Sequence, residues 1–215
     1  MARKNATVFI STYRNHHLAV TAIADIKRRL RRDRVSNAWL MRTGDIRTHT
    51  LDLSTIQSAA DSAREFRRIS NRLDILIVNT ASKYDSSSIR ISPDGYEVVF
   101  QEQFLSHFTF IAEILEFVVE TSFNHGDARI IGIVSDEHEQ ADFIDFKNIR
   151  AEPGQYSMPN LGDGAEKREK VRQKRLIDKY ERAKLAVLVG FKVLAEKMKE
   201  QMITNILVNF CCIGM

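Results

Sequence analysis

Leu73 to Asn79 reads LDILIVN, a short apolar run broken only by Asp74 and closed by Asn79. A run of this length, followed by a long polar stretch through Gly95, predicts a strand buried on both faces, as in a parallel sheet. Ala128 to Ser135 (ARIIGIVS) has the same form, as do Ala6 to Ser11 (ATVFIS) and Asn205 to Cys212 (NILVNFCC). Asn37 to Met41 and Arg47 to Leu51 are weaker strand patterns. Helical patterns fill the intervals. Leu18 to Arg32 places Leu18, Ala22, Ile26 and Leu30 on one face. Ser54 and Gln57 have capping-box spacing and open a helix to about Ser70. Tyr96 to Thr121 and Ala165 to Glu200 predict two long helices. Strands alternating with helices predict a Rossmann-like α/β fold over residues 1–215: a three-layer sandwich with a mostly parallel sheet in a single domain. Residues 151–164 (AEPGQYSMPNLGDG) concentrate Gly and Pro and predict a long loop or lid.

Composition narrows the function classes. With 44% apolar and 28% charged residues in 215, the chain is long enough to bury a core without disulfide or metal staples. The formal net charge of +4 comes with basic runs at Lys27 to Arg34 and Lys167 to Lys184. These lack the aromatic interleaving or finger spacing of a nucleic-acid binder, and the first reads as the solvated end of a helix. Cys211 and Cys212 are adjacent and cannot frame a disulfide scaffold; at an apolar strand end they are expected to pack in the core. The N-terminal apolar stretch is short for a signal peptide and no segment has the length of a membrane span, so a cytoplasmic protein is expected. Six histidines show no ligand spacing, and Glu137-His138-Glu139 lacks a second ligand pair, so no metal site is expected. Nine glycines occur, none before Gly44, which argues against a glycine loop near the N-terminus.

Taken in order, several segments resemble the short-chain dehydrogenase/reductase family, and in particular its retinol-dehydrogenase-like branch. LDLS at Leu51 to Ser54 is similar to a strand end carrying an Asp, here Asp52. LDILIVNTA at Leu73 to Ala81 is similar to the family's LDILINNAG strand. DGYEVVFQEQFLSHF at Asp94 to Phe108 resembles its DGFE…FQVNHLGHF helix, with Gln103 at the place of the catalytic Asn. ARIIGIVS resembles the strand that ends in the catalytic Ser, here Ser135. Tyr180-Glu-Arg-Ala-Lys184 fits Tyr-x-x-x-Lys, and ILVNFCCIGM resembles the VNxxxPG strand end.

The resemblance implies catalytic roles for Ser135, Tyr180, Lys184 and Gln103. Spacing i, i+4 puts Tyr180 and Lys184 on one helix face, where the ammonium is expected to lower the phenol pKa toward use as a general acid/base. Ser135 would hydrogen-bond a substrate carbonyl oxygen. For a dinucleotide, the resemblance implies contacts at Thr12, Arg14, His16, Asp52 and Asn79.

Departures from the family pattern change that expectation. Its T-G-x-x-x-G-x-G loop corresponds to Ser11 to Leu18, with Thr12, His16 and Leu18 at the glycine places. Each adds a side chain where the pyrophosphate backbone approach needs none. The second helix of the family is compressed away, leaving Arg42 as the 2′-phosphate contact. Gln103 is one methylene longer than Asn. The chain's last residue follows the final motif closely, so the substrate side is expected to be open or completed by another subunit.

The leading expectation is a family-derived enzyme acting on a carbonyl or enol small molecule by Ser/Tyr/Lys acid-base chemistry. Ordinary NAD(P) use is not expected, and the reaction would be of isomerase, cyclase or dehydratase type, in secondary metabolism. The alternatives are an NADP(H)-dependent oxidoreductase with an atypical phosphate loop, and a non-catalytic dimerising protein. The expected cofactor is none, with NADP(H) as the alternative. The expected partners are a small-molecule substrate and a second copy of the chain docked through helices 100–121 and 180–200, with no nucleic acid and no membrane.

Overall fold

The computed structural model describes residues 1–2, 5–12, 16–36, 44–79, 90–144, 146, 149–150 and 165–212, with the side chains of 16–17, 33–36 and 165–178 left aside. The strand expected at Asn37 to Met41, Arg14, Arg42 and the loop 151–164 lie outside these residues. Two compact units emerge, Met1–Asp52 and Leu53–Met215.

In the first unit, β1 (Val8–Thr12) pairs in parallel with β2 (Ile46–Thr50) across the helix α1 (His16–Ser36). The buried positions of α1 are Ala19, Ile23 and Leu30, and Ile23 and Leu30 join Ile46 and Ala2 in a small core. Of the expected stripe, Leu30 is buried, whereas Leu18, Ala22 and Ile26 are exposed and the neighbouring Ala19 and Ile23 face inward instead. The basic run of α1 faces outward; Lys27 pairs with Asp45 at 3.1 Å. Gly44 lets the chain pass Ala6, since a Cβ there would lie 1.8 Å from the Ala6 carbonyl oxygen.

The second unit carries a parallel sheet in the order β3 (Ile75–Asn79), β4 (Ala128–Val134), β5 (Ile206–Cys212). Period-two alternation sorts its side chains. Ala128, Ile130, Gly132 and Val134 are buried against helices α4 (Ser106–His125) and α5 (Ala165–Glu200). On the opposite face of this unit's sheet, Ile75, Ile77 and Leu207 are exposed. Helix α2 (Ile56–Ile69) packs on α4, with Phe66 meeting Phe117 edge to face at 6.5 Å. The capping box of α2 belongs to Thr55 and Ser58, one residue beyond the expected Ser54 and Gln57. The Thr55 hydroxyl accepts from the Ser58 N–H at 2.9 Å, and the Thr55 N–H donates to the Ser58 hydroxyl at 3.1 Å. Gln57 instead reaches along the surface to Asp61.

The long helix expected from Tyr96 starts at Val98 and is not continuous. A short α3 (Val98–Phe100) passes through a π-helical turn (Gln101–Leu105) into α4. Gln101 explains the break. It is fully buried, its amide donating to Asp94 (3.1 Å) and Ser106 (2.8 Å) and accepting from Ser92 (3.2 Å). Ser106 donates in turn to the Leu53 carbonyl at 2.9 Å. Satisfying these buried groups fixes the turn, and the Ser106 N–H takes the Gln101 carbonyl across the wider loop.

Phe104, Phe108 and Phe191 form a ladder between the π turn, α4 and α5, with centroids 4.9 and 5.4 Å apart. Two glycines make room for it. A Cβ on Gly132 would lie 2.6 Å from the Phe191 ring, and one on Gly190 would lie 2.5 Å from the Phe108 ring. Gly132→Ala should therefore cost about 1–3 kcal/mol by overpacking. Urea unfolding should show that loss, and adding Phe191→Leu should recover part of it. An unchanged midpoint would mean that the ring can move aside freely.

Candidate active site

Parallel strands end on one side of their sheet, so Asn79, Ser135 and Cys212 share the carboxyl edge of β3, β4 and β5. Asn79 is exposed there. Directly beyond β4, Ser135 caps a 3-10 helix (Asp136–Gln140) that packs against α5. Its hydroxyl donates to the Glu137 carboxylate at 3.0 Å and accepts from the Glu137 N–H at 3.4 Å. His138 Nδ1 meets the Ser135 carbonyl at 2.6 Å, which assigns the ring proton to that nitrogen.

Tyr180 stands on α5, the helix against which this 3-10 helix packs. Lys184, one turn on, is 4% exposed, with Nζ 5.1 Å from the centre of the Tyr180 ring. The expected lowering of the Tyr180 pKa is reversed. Burial raises it first, and the charge and hydrogen bond of Glu137 add to the rise. Burial pushes the Lys184 ammonium down, opposed by Glu137. The phenol is therefore favoured over the phenolate implied by the Tyr-x-x-x-Lys pattern, first by burial and then by the Glu137 charge.

Gln103 lies buried within the π turn, which itself packs against α5. His107 is placed by the same turn, its ring N–H donating to the Glu102 carbonyl at 2.6 Å. The His107 pKa is lowered from 6.5 to about 4, chiefly by burial, with the hydrogen bond opposing the drop and the Lys184 charge adding to it. His107 and Glu137 escape a reading of motifs. Glu137 has one sequence signal, a carboxylate two residues beyond a strand-end Ser; His107 has only its five-residue spacing from Glu102.

Cys211 and Cys212 are exposed, not packed in the core as expected. The last residues of β5 run past the cover of the helices, and the Cys212 thiol contacts Asp136 and is pushed up to about 11 by it. Among the described residues, no three His, Cys, Asp or Glu side chains converge as metal ligands, and no helix is long and apolar enough to cross a membrane.

In the other unit, Thr12 ends β1 and Asp52 follows β2. The Thr12 hydroxyl oxygen is buried and has no hydrogen-bond partner among the described residues, while its carbonyl accepts from the Leu51 N–H at 3.1 Å. His16 opens α1, and Leu18 in the first turn is 56% exposed.

A fungal protein described as short-chain dehydrogenase/reductase drtF, from Aspergillus calidoustus, is 29% identical over 116 residues, covering 51% of this chain and 36% of the relative. Over about half of its length, the chain is similar to a short-chain dehydrogenase/reductase. Solved structures agree on the fold. The RhlG/NADP active-site complex of Pseudomonas aeruginosa matches 94% of this chain and 60% of its own, with a TM-score of 0.56 and 24% identity. A dehydrogenase/reductase from Sinorhizobium meliloti 1021 matches 99% and 64%, with a TM-score of 0.60 and 18% identity. The NADH-dependent reductase A1-R′ complexed with NAD matches 100% and 70%, with a TM-score of 0.60 and 13% identity. No family model matches the chain. The match thus spans little more than a third of the curated relative and about two thirds of these solved chains.

At the phosphate end, two places that are glycine in the resembled pattern carry side chains in this chain. Leu18 carries a branched side chain in the first turn of α1, and Thr12 carries one at the strand end. The family's glycines leave both places empty so that a pyrophosphate can approach.

The His107 shift has a measurable consequence. Its folded pKa lies below its unfolded value, so the native state binds fewer protons between about pH 6.5 and 4. Stability is full above that window and is lost as the pH falls through it, by about 3 kcal/mol in all. Urea unfolding at pH 7 and pH 4.5 should show the loss, and His107→Gln should flatten it. An equal slope in the variant would assign the acid loss to other groups.

Proposed function

We propose that the chain is an acid-base enzyme acting on the carbonyl or enol group of a small molecule, in a non-redox reaction of isomerase, cyclase or dehydratase type. The observation that carries this reading is Ser135 at the end of β4, beside a 3-10 helix that packs on α5, where Tyr180 lies against a buried Lys184. Two such hydroxyl donors brought to one substrate oxygen would hold it. Their hydrogen bonds would stabilise negative charge developing there while a proton leaves the adjacent carbon. Tyr180, kept as a phenol, is suited to give a proton to that oxygen, and the Lys184 ammonium favours the anion formed. No step draws on a dinucleotide, in keeping with the side chains at Thr12 and Leu18. A role in secondary metabolism belongs to the same reading.

A second reading is favoured by the Thr12 hydroxyl, buried without a partner among the described residues, and by the NADP and NAD held in two structural neighbours. Under it, the chain is an NADP(H)-dependent oxidoreductase with an atypical phosphate loop, in which Thr12, Arg14 and His16 take the place of backbone contacts.

Self-association belongs to the first reading too, through helices 100–121 and 180–200. Val189 and Val193 stand exposed one turn apart on α5, and a second copy would cover them.

The two enzyme readings part in one experiment. In deuterium oxide, the chain should catalyse hydrogen exchange next to the carbonyl in a panel of enolisable ketones, followed by NMR. Tyr180→Phe should slow that exchange by roughly 10²-fold or more. Calorimetric titration should show no saturable NADPH or NADH binding in the micromolar range. Hydride transfer from NADPH with micromolar affinity would overturn the first reading and establish the second.

A further inference from the structure

In the first unit, β1 and β2 bring together a serine and a histidine that the candidate site does not include. The strands run parallel with Ser11 opposite His49, and Ser11 Oγ lies 3.0 Å from His49 Nδ1. Ser11 is exposed, whereas His49 is 3% exposed. Side chains alternate along a strand, so Phe9 and Arg47, the register partners two residues earlier, share this face. Helix α1 packs on the other face, against Val8, Ile10 and Ile46. The Arg47 guanidinium stands 5.8 Å from the centre of the Phe9 ring and pairs with Asp45 at 3.0 Å.

A hydroxyl within hydrogen-bond reach of an imidazole nitrogen is the pairing that an oxygen nucleophile needs, because the ring can take the proton as the oxygen attacks. Here the pairing is fixed by the backbone ladder of two strands. Each residue stands one place before the end of its strand, and ligands of parallel sheets approach the carboxyl ends. The oxygen lies on the open side and the ring is screened from water. We propose that Ser11 and His49 form a nucleophile–base dyad that accepts an acyl group from an activated carboxylic ester. Ser11 donates to Nδ1, so the ring proton of the neutral imidazole sits on Nε2. As Ser11 Oγ bonds to the ester carbonyl carbon, its proton passes to Nδ1. The bond from that carbon to the leaving oxygen then breaks, and Nδ1 returns the proton to the leaving oxygen. An acyl-serine and a free alcohol result, with no change of oxidation state. The half-buried Phe9 ring on the same face favours an ester with an apolar or aromatic leaving group. Ser135, Tyr180 and Lys184 take no part, so this activity and the proposed function stand or fall separately.

The probe is p-nitrophenyl acetate, mixed in excess with the whole chain at neutral pH. Nitrophenolate should appear in a burst matching the protein concentration, and mass spectrometry of the digested chain should place the acetyl group on Ser11. Ser11→Ala, a change at an exposed position, should remove both signals. His49→Gln should slow acetylation of Ser11 by roughly 10²-fold. Because His49 is buried, Ser11→Cys supplies a second measurement that keeps the histidine in place. Its thiol should react with iodoacetamide roughly tenfold faster than free cysteine, mapped apart from Cys211 and Cys212 by mass spectrometry. A merely structural link between the strands would leave position 11 no more reactive than a free side chain. Acetyl groups found on lysines alone, with Ser11 unmodified, would therefore overturn the dyad. So would equal acetylation of Ser11 in a folded His49→Gln variant, or a Ser11→Cys thiol no faster than free cysteine.

Discussion

The close passage of α5 across β4 at Gly132 is the constraint from which the candidate site follows. Phe191 lies where the glycine has no Cβ, and Gly190 repeats the arrangement one residue earlier for Phe108 and Phe104. A helix held this near the strand carries its preceding turns toward the strand's carboxyl end. That brings Tyr180 and Lys184 to the 3-10 helix that begins after Ser135. Elsewhere in this unit, aromatic rings fill the space between elements; here they require a glycine on each side. A side chain at either position would push α5 away and separate the phenol from the strand end, even though neither glycine touches the site.

Electrostatics then decides what the gathered groups can do. Tyr-x-x-x-Lys alone describes a phenol beside an ammonium, an arrangement that stabilises phenolate. Burial of Lys184 to 4% exposure weakens the ammonium, while burial of Tyr180 and the Glu137 charge both act against the phenolate. The same motif on a helix therefore serves opposite ends according to one neighbour contributed by a different element. The π turn adds a second neighbour of this kind, because it buries a neutral His107 within reach of Lys184 without adding charge.

Much of the fold was legible in the sequence, and for a physical reason. Apolar runs such as LDILIVN and ARIIGIVS are long enough to demand burial, and their alternation with helical patterns leaves few arrangements beyond a parallel α/β fold. Of the site, the spacing of Tyr180 and Lys184 and the strand-end position of Ser135 were equally visible. What stayed hidden depended on partners distant in sequence. The capping box slipped from Ser54 to Thr55 because both carry a hydroxyl and each has a polar side chain, Gln57 or Ser58, three residues on. The break at Gln101 depends on Ser92, Asp94 and Ser106, none of which marks a π turn in sequence. Glu137 enters the sequence reading only within Glu137-His138-Glu139, and its bond to Ser135 depends on the 3-10 turn that follows β4.

The fold and the phosphate loop carry different weight in a functional argument. The sheet and its helices are fixed by burial, which tolerates many sequences, so a TM-score of 0.60 persists at 13% identity. A pyrophosphate loop is fixed by the absence of atoms, and a single Cβ in it is a local, uncompensated change. Thr12 and Leu18 place side chains at two such points. Shared architecture therefore says little about dinucleotide binding in this chain.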